Sequence, residues 1–233
     1  MKAKKQNKLI SKILVDIFNK LYRHYGNQHW WPGETPFEII VGAILTQSTS
    51  WKNVEKAIAN LKRENLLNYQ ALHKINKQKL AGLIRSSGYY NAKAKKLKSF
   101  VHFLQKQYQG SLKKMFATPL PELRQELLTV YGIGEETADS ILLYAGDKPI
   151  FVIDAYTKRI FSRLGLVSPN AKYQDLQRLF MSHISTDAKL FNEFHALLVA
   201  FGKTQCTKRP NCAPCPLISL CHSPVYDSKR KTV

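Results

Sequence analysis

The chain has 233 residues, 44% of them hydrophobic, which is enough to bury a sound core in one compact unit or two small lobes. Its longest apolar runs, residues 37–45 and 194–201, are too short to cross a bilayer, and residues 1–8 are basic and polar without the apolar stretch of a secretory leader, so a cytoplasmic protein with no membrane partner is expected. Lys and Arg number 36 against 16 Asp and Glu, a formal charge of +20, and with no basic amphipathic anchor flanked by aromatics this excess points to nucleic acid rather than to an acidic membrane face or a solubility surface.

In chain order the apolar residues recur at helical spacing, and strand-like alternation is nearly absent. Leu9, Ile10, Ile13, Leu14, Ile17, Phe18 and Leu21 make a first stripe, and Val54, Ala57, Ile58 and Leu61 a second. Asn76 suits the N-cap of a helix carrying Leu80, Leu83 and Ile84, which Gly88 stops. Leu97, Phe100, Val101 and Leu104 lie on a third stripe, ending near Gly110. Thr118-Pro119 opens a helix through Leu123, Leu127 and Leu128 that halts at Tyr131-Gly132. Further helices are expected over residues 135–144, from Ala155, over 173–183 and over 188–200. The fold class is all-α with short connections, and the tail beyond residue 222 reads as disordered.

Two segments stand out chemically. In Tyr131-Gly-Ile-Gly-Glu-Glu-Thr-Ala138, glycines at Gly132 and Gly134 permit a tight turn between helices and leave backbone N–H groups uncovered. Together with Thr137, those donors at the start of a helix suit a DNA phosphate, while Ile133 should bury between the helices. An ordinary corner between two helices is the bland alternative. Eighteen residues after Glu136 comes Asp154, at the end of the apolar run Pro149-Ile-Phe-Val-Ile153. A fixed carboxylate stabilises the oxocarbenium-like sugar of N-glycosidic cleavage and can orient water. It could equally serve as the N-cap of the following helix, and the two roles are compatible because capping fixes the rotamer.

All four cysteines lie in one window, Cys206-x5-Cys212-x2-Cys215-x5-Cys221. Without a secretory leader a disulfide framework is disfavoured, and four thiolates suit either a tetrahedral zinc or a [4Fe–4S] cluster. Zinc commonly takes two CxxC knuckles; the single knuckle here, between wider arms, favours the cluster. With four cysteine ligands such a cluster has no open position for substrate and reads as structural. The seven histidines show no ligand spacing and read as structural or surface residues.

The hairpin, Asp154 at its distance downstream and the terminal cysteines, in that order, resemble the endonuclease III branch of the helix-hairpin-helix DNA glycosylases. Leu45-Thr-Gln-Ser-Thr49 and Ser87-Gly-Tyr-Tyr-Asn-Ala-Lys-Ala94 look like two further segments of that family. The resemblance implies two helical lobes: a six-helix barrel with the hairpin over residues 29–138, and a cluster lobe from 1–28 and 139–222 that carries the catalytic Asp154. It places the active-site cleft between them, implies double-stranded DNA with a damaged base as partner, and a monomer. It implies that Gln47 enters the gap left by an extruded base and that Tyr89 presses on the opposite strand. A loop hydrogen bond for Gln47 and a packed aromatic for Tyr89 are the plainer readings.

There are two departures from the family pattern. The first cysteine gap is one residue shorter than the common endonuclease III spacing. More telling, Glu136 stands where bifunctional members place the lysine that attacks C1′ and goes on to cleave the strand, a reaction no carboxylate can perform. The resemblance therefore implies a monofunctional glycosylase without AP lyase activity. Gly-Ile-Gly-Glu-Glu-Thr-Ala-Asp139, Trp30-Trp31-Pro32 and Phe37-Glu38 are similar to the 3-methyladenine glycosylases of endonuclease III type, some of which lack the cluster. The resemblance assigns Trp30, Trp31, Pro32 and Trp51 to the walls of the base slot; plain core packing is the alternative. N3- or N7-alkylation makes a purine cationic, which attracts it to indole faces by about 0.5–2 kcal/mol. The runner-up is an oxidised-pyrimidine glycosylase with lyase activity, followed by a mismatch-specific glycosylase and a non-catalytic damage-binding protein.

Overall fold

The computed structural model describes residues 2–223; the tail expected to be disordered lies outside them, save residue 223. Among the described residues there is no strand, as the periodicity predicts, and no helix is long and apolar enough to cross a membrane. The chain divides into two compact units, residues 2–30 with 149–223, and Trp31–Lys148. The second break comes after Lys148 rather than after Ala138. A boundary at 138 would cut a helix whose winding, Glu135–Ser140 and then Ile141–Ala145, runs straight through it.

In the unit Trp31–Lys148, α2 (Pro36–Leu45) is apolar on every side and has eight of its ten residues buried, the pattern of a helix enclosed by others. Thr35 caps it, its side chain accepting from the Glu38 N–H at 3.1 Å, with Pro36 preset for the first turn. Around it come α3 (Trp51–Arg63), α4 (Tyr69–Lys74), α5 (Lys77–Leu83), α6 (Tyr90–Tyr108), α7 (Leu112–Ala117), α8 (Leu120–Leu128) and α9 (Glu135–Ser140). Asn76 is the cap of α5, accepting from the Gln78 N–H at 2.8 Å, and the chain then makes one 3-10 turn, Arg85–Ser87, before Gly88. Past Ser140, α9 widens into a π-wound turn, Ile141–Ala145, all of it buried. That departs from the uniform helix expected over residues 135–144.

The other unit is built on α1 (Lys2–Tyr25), α10 (Ala155–Arg163), α11 (Tyr173–Met181) and α12 (Ala188–Thr204). The last outruns its expected end at residue 200 by a turn, carrying the chain to the cysteine loop. Residues 150–153 are extended and buried within this unit. Their core is aromatic: Phe151 stacks on Phe180 at 3.7 Å and meets Phe191 and Phe194 edge-on, and Phe18 of α1 closes on Phe194. Gln177 of α11 donates to the Phe151 carbonyl at 2.8 Å, so this strand-like run is anchored without a sheet. At Gly202 the Tyr156 ring lies where a Cβ would stand, so α10 and α12 approach closely only because that residue has no side chain.

Candidate active site

Asp154 ends the extended run and begins α10. Its Oδ1 accepts the Thr157 N–H at 2.7 Å, the capping geometry expected from its position, which fixes the rotamer and places the charge on a helix N-terminus. Its side chain is 11% exposed, and its Oδ2 lies 3.8 Å from His195 Nε2. His195 is buried on α12, and burial pushes its pKa below the usual value against the pull of the Asp154 carboxylate, so the imidazole is neutral at pH 7. Spacing alone did not single this histidine out; its one signal was its place within the apolar run 194–201.

The hairpin between α8 and α9 turns at Gly132, whose φ of +83° is open to glycine and strained for other residues, and where the Lys96 stem occupies the space of a Cβ. Gly134 differs from expectation: at φ −95° its backbone is extended and any residue could adopt it. Nothing stands within 4 Å of a Cβ there, so what its missing side chain provides is an uncovered surface. Ile133 is 4% exposed, buried as the pattern predicts, and its N–H closes on the Val130 carbonyl. The first N–H groups of α9 have no acceptor inside the helix, and Lys95 sits over the exposed Tyr131 ring at 4.1 Å. Glu136 is exposed on the first turn of α9. Behind the hairpin, Arg124 of α8 grips the fully buried Asp139 through two hydrogen bonds, at 2.7 and 3.1 Å.

Gln47 is tied to this hairpin. Its Nε2 donates to the Gly132 carbonyl and to Thr137 Oγ1, each at 2.9 Å, and its Oε1 accepts from Lys96 Nζ. Tyr89 has 75% of its surface exposed and a positive φ of 44° at the start of α6, and Ser48, next to Gln47, has φ 54°. Of the two plainer readings, the hydrogen-bonded Gln47 is what is seen, whereas Tyr89 is not a packed aromatic.

Among the tryptophans, Trp31 meets Trp51 edge to face at 5.2 Å and Tyr144 at 5.0 Å, and Gly42 of α2 admits the edges of both indoles. Trp51 and Pro32 line a groove with Glu38, Glu55, Ile58 and Lys62, in which the buried Glu38 pairs with Lys62 at 3.0 Å. Trp30 belongs to the other unit, where Lys203 lies 5.6 Å above its ring.

The four cysteines, all free thiols, line one mostly apolar pocket with Ile160, Leu164 and Leu217. Burial pushes the Cys215 thiol up to about 11, and the three other cysteines push it the same way against the Leu217 N–H. All four are partly exposed. Arg163 supplies part of a shell, donating to Cys206 Sγ at 3.3 Å and to the Thr207 carbonyl at 2.6 Å. Among the described residues, no three His, Cys, Asp or Glu side chains stand close enough together to hold a single metal ion.

The family profile described as HhH-GPD superfamily base excision DNA repair protein matches residues 41–185, more than half of the chain. The chain belongs to this superfamily. As an HhH-GPD DNA glycosylase it is 47% identical over 221 residues to a provisionally named DNA repair glycosylase of Methanocaldococcus jannaschii, covering 94% of this chain and 99% of that one. It is similar in structure to an H. pylori 3-methyladenine DNA glycosylase bound to 1,N6-ethenoadenine, with a TM-score of 0.70 and 31% identity over 84% of this chain and 97% of that one. The fold also matches an endonuclease III in non-covalent complex with DNA, with a TM-score of 0.81 at 22% identity over 95% and 98% of the two chains.

Proposed function

We propose that this HhH-GPD glycosylase is monofunctional: it extrudes an alkylated purine of the 3-methyladenine type from duplex DNA and hydrolyses its N-glycosidic bond, leaving an abasic site. The observation that carries the reading is Asp154. One carboxylate oxygen is spent on the Thr157 N–H, so the other is held in a fixed place with its charge favoured by the helix N-terminus. Such an anion stabilises the sugar cation as the base departs and directs water to it. Glu136, exposed on the hairpin helix, supports the monofunctional part, because no amine stands there to form a Schiff base.

An alkylated purine carries its own positive charge, so its departure needs little acid assistance and its recognition can rest on aromatic faces. Trp31 and Trp51 with Pro32 supply such faces, and stacking contributes on the order of 1–3 kcal/mol per base. The 31% identical relative seen with an ethenoadenine supports an alkylated purine over an oxidised pyrimidine. Gln47 fills the gap, Tyr89 presses on the opposite strand, and Gly132, Ile133, Gly134 and Thr137 hold a phosphate of the damaged strand.

Cys206, Cys212, Cys215 and Cys221 hold a [4Fe–4S] cluster. One zinc ion commonly takes two CxxC knuckles, whereas only Cys212 and Cys215 form one here, between wider arms, and this supports a cubane. The cluster, when bound, would supply the cationic core that four neighbouring thiolates need. Arg159, donating to the Cys206 and Gly202 carbonyls at 2.9 and 2.7 Å, and Arg163 fix the loop around it.

The deciding measurement is single-turnover base release from duplexes with one defined lesion, with a parallel borohydride trap. Release of 3-methyladenine without a trapped complex is expected. Release of an oxidised pyrimidine with a covalent protein–DNA adduct would replace this reading by a bifunctional one. Anaerobically purified protein should be brown and contain iron; colourless protein with stoichiometric zinc would overturn the cluster.

A further inference from the structure

Lys93 is among the largest fully buried side chains of the described residues, 2% exposed, and it carries a charge that no carboxylate among them meets. Its ammonium donates instead to two backbone carbonyls, Leu45 at 2.8 Å and Ser87 at 2.5 Å. Each closes a helical element: Leu45 is the last residue of α2, and Ser87 the last of the 3-10 turn that comes after α5. Helix ends leave carbonyls without partners and carry partial negative charge, so a single cation satisfies two such ends at once.

The residues just beyond these two carbonyls give the contact its meaning. Two positions after Leu45 comes Gln47, then Ser48 at φ 54°. Two positions after Ser87 comes Tyr89 at φ 44°, with its ring in solvent. Left-handed backbone at a non-glycine residue is strained and persists only where the surroundings enforce it. The Lys93 N–H itself donates to the Tyr89 carbonyl at 2.9 Å, so this one residue grips the second turn from both its backbone and its side chain.

We propose that Lys93 is a positioning residue that couples the Gln47 turn to the Tyr89 turn, holding both strained segments as one rigid wedge against DNA from which a base has been extruded. This rests on the reading of Gln47 and Tyr89 as the wedge. Lys93 itself touches no DNA: its ammonium is enclosed, and it acts through the two carbonyls.

The test compares the full-length, cluster-replete protein with Lys93→Met, which keeps the volume and removes the donors, and with Lys93→Gln as a second, still polar variant. Met115→Ala, in the core of α7, serves as a control of general destabilisation. Affinity is measured for a duplex with a tetrahydrofuran abasic analogue and for the same duplex undamaged, and amide hydrogen exchange is followed along the chain. We expect the preference for the abasic duplex to fall about tenfold in both Lys93 variants, with faster exchange confined to residues 46–50 and 87–90. The control should lose thermal stability and keep the preference. An unchanged preference in a folded Lys93 variant, or faster exchange spread evenly over the unit, overturns the inference while leaving the glycosylase reading intact. A wild type without any preference for the abasic duplex overturns both.

Discussion

Asp154 and the wedge turns are held in opposite ways. The carboxylate is fixed by its own neighbourhood: it caps the helix that it begins, through a hydrogen bond to a residue three positions on. The side chain of Gln47 is held from afar, and Tyr89 has only the Lys93 N–H, four positions on, as a local bond to its carbonyl. Gln47 is tied to Gly132, Thr137 and Lys96, residues 85, 90 and 49 positions away, and Lys93 bridges from the segment of Tyr89 to that of Gln47. A carboxylate set by local structure tolerates change elsewhere in its unit, whereas turns assembled from distant segments, as in the proposed wedge, depend on every tie among them.

This contrast can be broken most forcefully at Asp154. Asp154→Asn keeps an oxygen for the Thr157 N–H but removes the charge, so single-turnover base release should fall roughly a thousandfold or more, equivalent to about 4 kcal/mol of transition-state stabilisation. Affinity for abasic DNA should survive, as gel-shift titration would show. Unchanged release would remove Asp154 from the mechanism. A gain of function comes next: Glu136→Lys places an amine on the first turn of α9, and borohydride should then trap a fraction of the protein on lesion DNA where the wild type gives none.

A smaller effect is expected on the wedge side. Gln47→Ala removes three ties at once, and affinity for a tetrahydrofuran duplex should weaken about tenfold, or ~1.4 kcal/mol, with binding to undamaged DNA little changed. The smallest concerns pH. Burial, with Lys96 adding to it, lowers the Lys93 pKa to about 8 from its ordinary 10.5. Between those values the unfolded chain binds more protons than the folded one, so this residue's contribution to stability rises with pH from about 8 to 10.5. Thermal melts across that window should show the wild type gaining on Lys93→Met as pH increases. A constant difference would mean the amine is not titrating in the folded state.

The same contrast explains what was legible in the sequence. Asp154 could be read because its signals are local: an apolar run before it and a helix after it. The hairpin was legible for the same reason, Gly132 by its turn and Ile133 by its place between two apolar helix faces. Gly134 was assigned a conformational role that its extended backbone does not need. Lys93 and Lys96 were illegible, since in a chain with 36 basic residues nothing in the sequence marks which lysines turn inward. His195 was hidden likewise, because its meaning lies in a carboxylate 41 positions earlier. The break expected near residue 138 and the division after Lys148 differ because the motif ends at 138 while the helix that carries it runs on.

That helix has one further consequence. Over residues 141–145 its hydrogen bonds reach one residue farther back than in ordinary winding, so each step turns the chain through a smaller angle. Tyr144, near the end of this stretch, thus emerges on a different side of the axis from the one regular winding would give it, and it is there that its ring finds Trp31. Shortening the stretch by one residue would let the coil tighten and swing that phenol away, altering the aromatic wall without touching any residue of the wall itself.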